Sequence, residues 1–250
     1  MKYLLYQLTA ICLVTTLFSC NPKQTDETTT ESPTHSYSES YKAPAFEPDN
    51  RIEKIKQIAP ELQKSIEEHA KANHLPGVAF GVVVDNELVF TSAAGYLNLE
   101  KEIPASPSSA FRIASMTKSF TAMAIMKLRD EGKLSLNDPV SKYIPEMSKL
   151  TYLTKDAPTI DIENLLTMTA GFPEDNPWGD RQLDEPDHML IDLVDEGISF
   201  SNVPSYGYEY SNTGYALLGH IVSLVSGMPF QEYITQNIFK PLGMDHTYWE

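Results

Sequence analysis

The chain has 250 residues, 42% of them hydrophobic, which is ample for a globular core. Its formal net charge of -15, without clustered Lys and Arg, excludes a nucleic-acid partner and reads as a solvated acidic surface. The two cysteines are Cys12 and Cys20, so the sequence beyond them offers no disulfide, thiol chemistry or Cys-based zinc site.

Met1-Lys2 and the apolar run from Tyr3 to Phe18 have the charged start and short hydrophobic core of an export signal. The run is shorter than the ~20 residues a spanning helix needs. It ends Leu17-Phe18-Ser19-Cys20, which is similar to a bacterial lipobox. Cys20 is therefore the expected lipidation site, with an ordinary secretory signal as the alternative. Residues 1–20 read as the signal peptide and 21–50, rich in Thr, Ser, Glu and Pro, as a disordered tether. The expected location is the bacterial cell envelope, facing the periplasm or cell surface, with membrane contact through the lipid anchor only. A secreted or soluble periplasmic protein follows from the alternative.

The folded portion, residues 51–250, opens with helical spacing at Ile52, Ile55 and Ile58, then Leu62, Ile66 and Ala70. Pro60 starts a second segment or a kink. One face of this helix is expected on a sheet. Residues 78–84 and 87–92 are β-rich runs around Asp85-Asn86, a hairpin pattern. Residues 95–98 and the Pro- and Ser-rich 104–109 read as loop.

Phe111-Arg112-Ile113-Ala114-Ser115-Met116-Thr117-Lys118 puts a hydroxyl and an amine three residues apart, on one face of a helix. The run after it, 119–126, is apolar on almost every face, as in a buried helix whose methionines fill the core. Gly132 is its expected C′ residue. Free N–H groups and the positive dipole end at a first helical turn favour developing negative charge, which suits acyl transfer. Ser115 reads equally as an N-cap at this point.

Residues 134–140 are turn-rich. Asp161 is the expected N-cap of a helix over 162–168, with Gly171 and Pro173 ending it. Residues 172–186 form a polar loop whose Trp178 reads as a pin to the core, or else as a cleft-lining group. Helices are expected at 188–196, 214–225 and 230–239. Strands come first and helices after, so the fold class is α+β with a helical insertion, not alternating βαβ units.

Tyr210-Ser211-Asn212 supplies a phenol and a carboxamide at a helix entrance, and a nearby ammonium favours phenolate. Tyr96-Leu97-Asn98 carries the same pattern but follows a surface hairpin. Ser115-Met116-Thr117-Lys118, Tyr210-Ser211-Asn212 with 213–219 after it, and Leu165-Leu166-Thr167-Met168-Thr169-Ala170-Gly171 between them resemble the serine β-lactamase and penicillin-binding protein superfamily. The branch resembled is that of class C β-lactamases, D-stereospecific peptidases and related esterases. The likeness runs from about Pro60 onward and includes Gly132 to Val140.

The resemblance implies a β-lactamase/transpeptidase-like fold, an antiparallel sheet flanked by helices with a large helical insertion. It implies Ser115 as acylated nucleophile, Lys118 and Tyr210 as proton-relay pair, and Asn212 holding Lys118 and the substrate's amide. Whether Lys118 or Tyr210 acts as base is left open. The expected function is an exported serine hydrolase acting on a β-lactam, a D-amino-acid peptide or a small ester. The alternative is a binding lipoprotein that is acylated without turnover. No cofactor or metal is expected, the partner is a small-molecule or peptide substrate, and nothing sets the oligomeric state. Met168 and Ala170 stand where relatives often carry His and Ser, at a position read as structural. The family's third motif, Lys-Thr-Gly or His-x-Gly on a strand, is not found after Tyr210. Residues 51–250 are therefore expected to be the N-terminal portion of the domain, without its C-terminal sheet strands, and to be poorly active and non-cooperative in melting when isolated.

Overall fold

The computed structural model describes Lys42, residues 49–176 and residues 186–249. The export signal, Cys20, nearly all of the tether and Trp178 lie outside the described residues. The chain divides into two units, Met1–Lys54 and Ile55–Glu250. In the first, the Arg51 guanidinium forks onto both carboxylate oxygens of Asp49 at 2.9 Å. Helix α1 (Arg51–Gln57) buries no residue.

Pro60 sits in the first turn of helix α2 (Ala59–Ala72), where a missing N–H is harmless. It thus starts a second segment. Asp85 and Asn86, at φ 48° and 67°, form the two-residue turn between strands β1 (Gly77–Val84) and β2 (Glu87–Asn98). Two positive φ values give the twist that flanking strands need. Gln63 of α2 bonds the Ser92 hydroxyl and the Ala93 carbonyl, so the helix lies on β2.

Residues 95–98 are not loop. β2 continues through them and pairs with β3 (Ile103–Pro104), giving the antiparallel order β1-β2-β3. The reason is close backbone approach: a Cβ on Gly77 would stand 2.4 Å from the Tyr96 carbonyl oxygen. Glycine here lets pairing proceed. Tyr96-Leu97-Asn98 is accordingly strand backbone.

A 3-10 turn (Ala114–Met116) leads into helix α3 (Thr117–Asp130). Gly132 N–H donates to Arg129 O and Lys133 N–H to Leu128 O, the paired bonds of a Schellman ending. After two further 3-10 turns come α4 (Ile162–Leu166), α5 (Asp187–Glu196), α6 (Asn212–Ser226) and α7 (Phe230–Ile234), the last continuing as a π turn to Phe239. Asp161 caps α4 in a capping box with Asn164. This helix stops at Leu166, short of the expected Met168, because Met168 turns to φ 56° and its carbonyl receives the Glu209 N–H. Ala170 is buried, so both positions of that motif serve backbone pairing and packing.

The core joins Ala124, Ile125 and Leu128 of α3 to Leu217, Leu218, Ile221 and Val222 of α6. The α3 helix is not buried all round. Ser119 is exposed and Met123 is 43% exposed, so only the face with Thr121, Ala124, Ile125 and Leu128 is core. Met123 therefore does not fill the core as expected. Strands precede a helical layer packed on α3, an α+β arrangement.

Candidate active site

Ser115 lies in the 3-10 turn just before α3, and Ala114 before it is forced to φ 45°. A non-glycine residue in the left-handed region is strained, and such strain gathers where a side chain must be aimed. Neither the turn nor α3 receives a side-chain cap, so Ser115 is not an N-cap. Its hydroxyl is turned elsewhere.

Lys118, in the first turn of α3, donates from Nζ to Ser115 Oγ at 3.2 Å. The same Nζ donates to Asn212 Oδ1 at 2.6 Å. Ser115 Oγ and the Tyr210 hydroxyl share a 2.5 Å hydrogen bond in which either oxygen can donate. Tyr210 OH also reaches Asn212 Oδ1 at 3.4 Å. The four side chains, from two segments some 95 residues apart, close a single hydrogen-bonded cycle.

Aromatic faces hold the ammonium within it. Lys118 Nζ stands 4.8 Å from the Tyr210 ring centroid and 5.7 Å from that of Tyr215. Tyr215 is fixed by its hydroxyl, which donates to Leu166 O at 3.0 Å. Burial, and then the neighbouring Tyr208 and Tyr210, push its phenol above the ordinary value. It is therefore a neutral wall at neutral pH.

Asn212 Nδ2 is buried with no hydrogen-bond partner among the described residues. Its Oδ1 is occupied by Lys118, so the free end is a donor suited to a ligand carbonyl. Tyr210 and Asn212 owe their aim to the entrance of α6. Ser211, in extended backbone, is the N-cap and accepts from Gly214 N–H at 2.9 Å. Helix α6 begins at Asn212, two residues earlier than the sequence pattern suggests.

A residue that the sequence reading missed completes this entrance. Asp175 accepts Asn212 N–H at 2.6 Å on Oδ1 and Thr213 N–H at 2.8 Å on Oδ2. A serine N-cap reaches only one of the four orphan amides of a helix start, and that shortfall was the available signal. Beside it, Glu209 accepts from the Ser201 hydroxyl, from Glu174 N–H at 3.3 Å and from Asn202 Nδ2 at 2.9 Å. Those donors, the Ser201 hydroxyl foremost, hold its carboxyl below the usual value against the opposing effect of burial.

Gly171 lets the loop bearing Asp175 pass. It sits at φ 82°, and a Cβ there would meet Asn202 O at 2.3 Å.

The sequence pattern of the Beta-lactamase family matches residues 62–250. The chain belongs to that family. Among curated relatives, protein flp of Staphylococcus aureus (strain N315) is 36% identical over 189 residues, covering 75% of this chain and 37% of that protein. This beta-lactamase-family chain thus spans well under half the length of that relative. Among solved structures, the octameric penicillin-binding protein homologue from Pyrococcus abyssi aligns with TM-score 0.64 and 32% identity, over 74% of this chain and 43% of that one. The D-amino acid amidase from Ochrobactrum anthropi SV3 aligns with TM-score 0.61 and 27% identity, over 72% and 49%. These likenesses bear out the superfamily resemblance, and the α+β architecture is that of the β-lactamase/transpeptidase-like fold.

Proposed function

We propose that this protein is a serine hydrolase that forms an acyl-enzyme through Ser115 on an amide or ester, with a β-lactam, a D-amino-acid peptide or a small ester as substrate class. The observation that carries the reading is the closed cycle of Ser115, Lys118, Tyr210 and Asn212. A serine hydroxyl is a weak nucleophile at neutral pH and needs a neighbour to take its proton. Tyr210 is the nearer neighbour at 2.5 Å, against 3.2 Å for Lys118.

In this scheme Tyr210, acting with Lys118, accepts the serine proton. Ser115 Oγ bonds the carbonyl carbon, and Asn212 Nδ2 donates to a carbonyl elsewhere in the substrate. Collapse of the tetrahedral intermediate breaks the C–N or C–O bond, and the proton passes from Tyr210 to the leaving nitrogen or oxygen. Water then cleaves the Ser115 ester, its hydroxyl going to the acyl carbon and its proton to Ser115 Oγ. The D-amino acid amidase neighbour supports an amide with D stereochemistry among the candidates.

Labelling of the full-length protein with a fluorescent penicillin and a fluorophosphonate tests this. A covalent adduct present in wild type and absent in Ser115→Ala is expected, and release of the penicilloyl label over time marks turnover. An adduct that persists in Ser115→Ala, or none in wild type, overturns the assignment.

We propose further that the protein is exported and anchored through Cys20, on the strength of the Tyr3 to Phe18 run and Leu17-Phe18-Ser19-Cys20. Incorporation of radiolabelled palmitate that is lost in Cys20→Ala is the expected result. Equal incorporation in the variant overturns it.

A further inference from the structure

We propose that Asp175 is a positioning residue for the reaction, bracing Tyr210 and Asn212 against the nucleophile by ligating the backbone between and beyond them. The inference rests on the serine-hydrolase reading above. Asp175 touches none of the reacting atoms.

The argument starts from the amides at the entrance of α6. The first amides of a helix have no intrahelical acceptor, and here they belong to the residues that carry the site. Ser211 Oγ satisfies Gly214 N–H. Asn212 N–H and Thr213 N–H are left, and each takes one oxygen of Asp175, at 2.6 and 2.8 Å. The Ser211 hydroxyl also lies 3.4 Å from Asp175 Oδ2. A carboxylate gripping two successive amides at the positive end of a 15-residue helix is strongly favoured, and it fixes rotation of the turn as well as its position.

The bracing is reciprocal. One residue before Asp175, Glu174 donates its N–H to the Glu209 carboxylate at 3.3 Å, one residue before Tyr210. The 174–175 segment and the 209–213 segment are therefore stitched by two carboxylates, with Tyr210-Ser211 held between them.

Energy reaches the chemistry through one side chain. Asn212 carries the Asp175 bond on its N–H and the 2.6 Å Lys118 bond on its Oδ1. Loosening the backbone of Asn212 lets Lys118 Nζ drift from Ser115 Oγ and Tyr210 swing off its 2.5 Å contact. Small displacements of reacting groups cost rate far more than affinity.

The test uses the full-length protein, the fluorescent penicillin and a chromogenic short-chain ester, with Asp175→Ala, Asp175→Asn and Asp175→Glu. Asp138→Asn, which loses a carboxylate remote from the cycle, serves as a control for lowered stability. Asp175→Ala is expected to acylate about 10- to 100-fold more slowly at saturating probe, with the half-saturating concentration changed by less than about threefold. Asp175→Asn keeps one acceptor and should lose less, and Asp175→Glu should recover part of the rate. Amide hydrogen exchange at Asn212 and Thr213 should quicken in Asp175→Ala, while Asp138→Asn acylates at the wild-type rate. Acylation of Asp175→Ala at the wild-type rate per folded molecule, or slowing matched by Asp138→Asn, overturns the inference. Failure of wild type itself to form any adduct overturns instead the serine-hydrolase reading, and this inference with it.

Discussion

Lys118 Nζ donates to Asn212 Oδ1 at 2.6 Å, the shortest link the ammonium makes, while the amide's other end is buried and unpartnered. One carboxamide thus commits its acceptor to Lys118 and leaves its donor without a partner among the described residues. Asn212→Ala removes both. Loss of a hydrogen bond to a charged group is worth about 1.5–3 kcal/mol, or roughly 10- to 150-fold in acylation rate. Asn212→Asp keeps the acceptor but loses the donor, so it should raise the half-saturating substrate concentration more than it lowers the limiting rate. Steady-state kinetics of the two variants on one ester would separate the roles, and equal profiles would contradict the split.

The 2.5 Å contact between Ser115 and Tyr210 sets a second expectation. Tyr210→Phe leaves the ring over Lys118 but deletes the hydroxyl that shares the hydrogen bond with Ser115, the proton acceptor of the proposed scheme. Its acylation should fall by about 100- to 10,000-fold, the usual range for a general base. Lys118→Ala should fall comparably. Groups that act as a unit are not additive, so the double variant should be little worse than the poorer single one. Stopped-flow acylation checks this, and a multiplicative loss would mean that the two act independently.

Much of this site was legible because its parts are local. Ser115 and Lys118 declare themselves by a three-residue spacing, and Tyr210 and Asn212 by a tripeptide at a helix entrance. The turn at Asp85-Asn86, the stop at Gly132 and the cap at Asp161 were equally readable, each resting on the conformational habit of one or two residues. Asp175 was not, since its bond to Asn212 spans 37 residues and its loop has no periodicity. β2 was read short because nothing local in residues 95–98 announces their close approach to Gly77, where only a residue without a Cβ fits. The exposed face of α3 was also hidden: an apolar composition announces burial without saying which neighbour supplies it.

Asp138 gives a prediction in pH. Its Oδ2 receives the Tyr143 hydroxyl at 2.6 Å, Lys142 Nζ at 2.9 Å and Ser135 N–H at 2.8 Å. The tyrosine first, then the lysine and the backbone, hold the carboxyl down at about 2, from an ordinary 3.8. A depressed carboxylate stabilises the fold above its unfolded value and loses that stabilisation as pH falls toward the folded one. The contribution, on the order of 2 kcal/mol at most, is therefore complete at pH 7 and disappears between about pH 4 and 2. Denaturant melts of wild type and Asp138→Asn should differ at pH 7 and converge by pH 2. A constant difference would show that the network acts through packing instead.

Leu218 and Leu224 lie on one helix, α6, and test where its burial matters. Leu218 is fully buried in the core with α3, whereas Leu224 is 50% exposed. Leu218→Ala removes buried methyl groups and leaves a cavity that the close-packed α3 and α6 cannot collapse around, at a cost of about 2–5 kcal/mol. Leu224→Ala should shift stability by no more than about 0.5 kcal/mol. Because α6 carries Asn212 at its first residue, the Leu218 variant should also show reduced acylation at temperatures near its own melting point and recover when cooled. Thermal melts paired with acylation assays in the full-length protein decide the matter. Equal destabilisation by the two substitutions would mean that the exposed face of α6 is packed against something else.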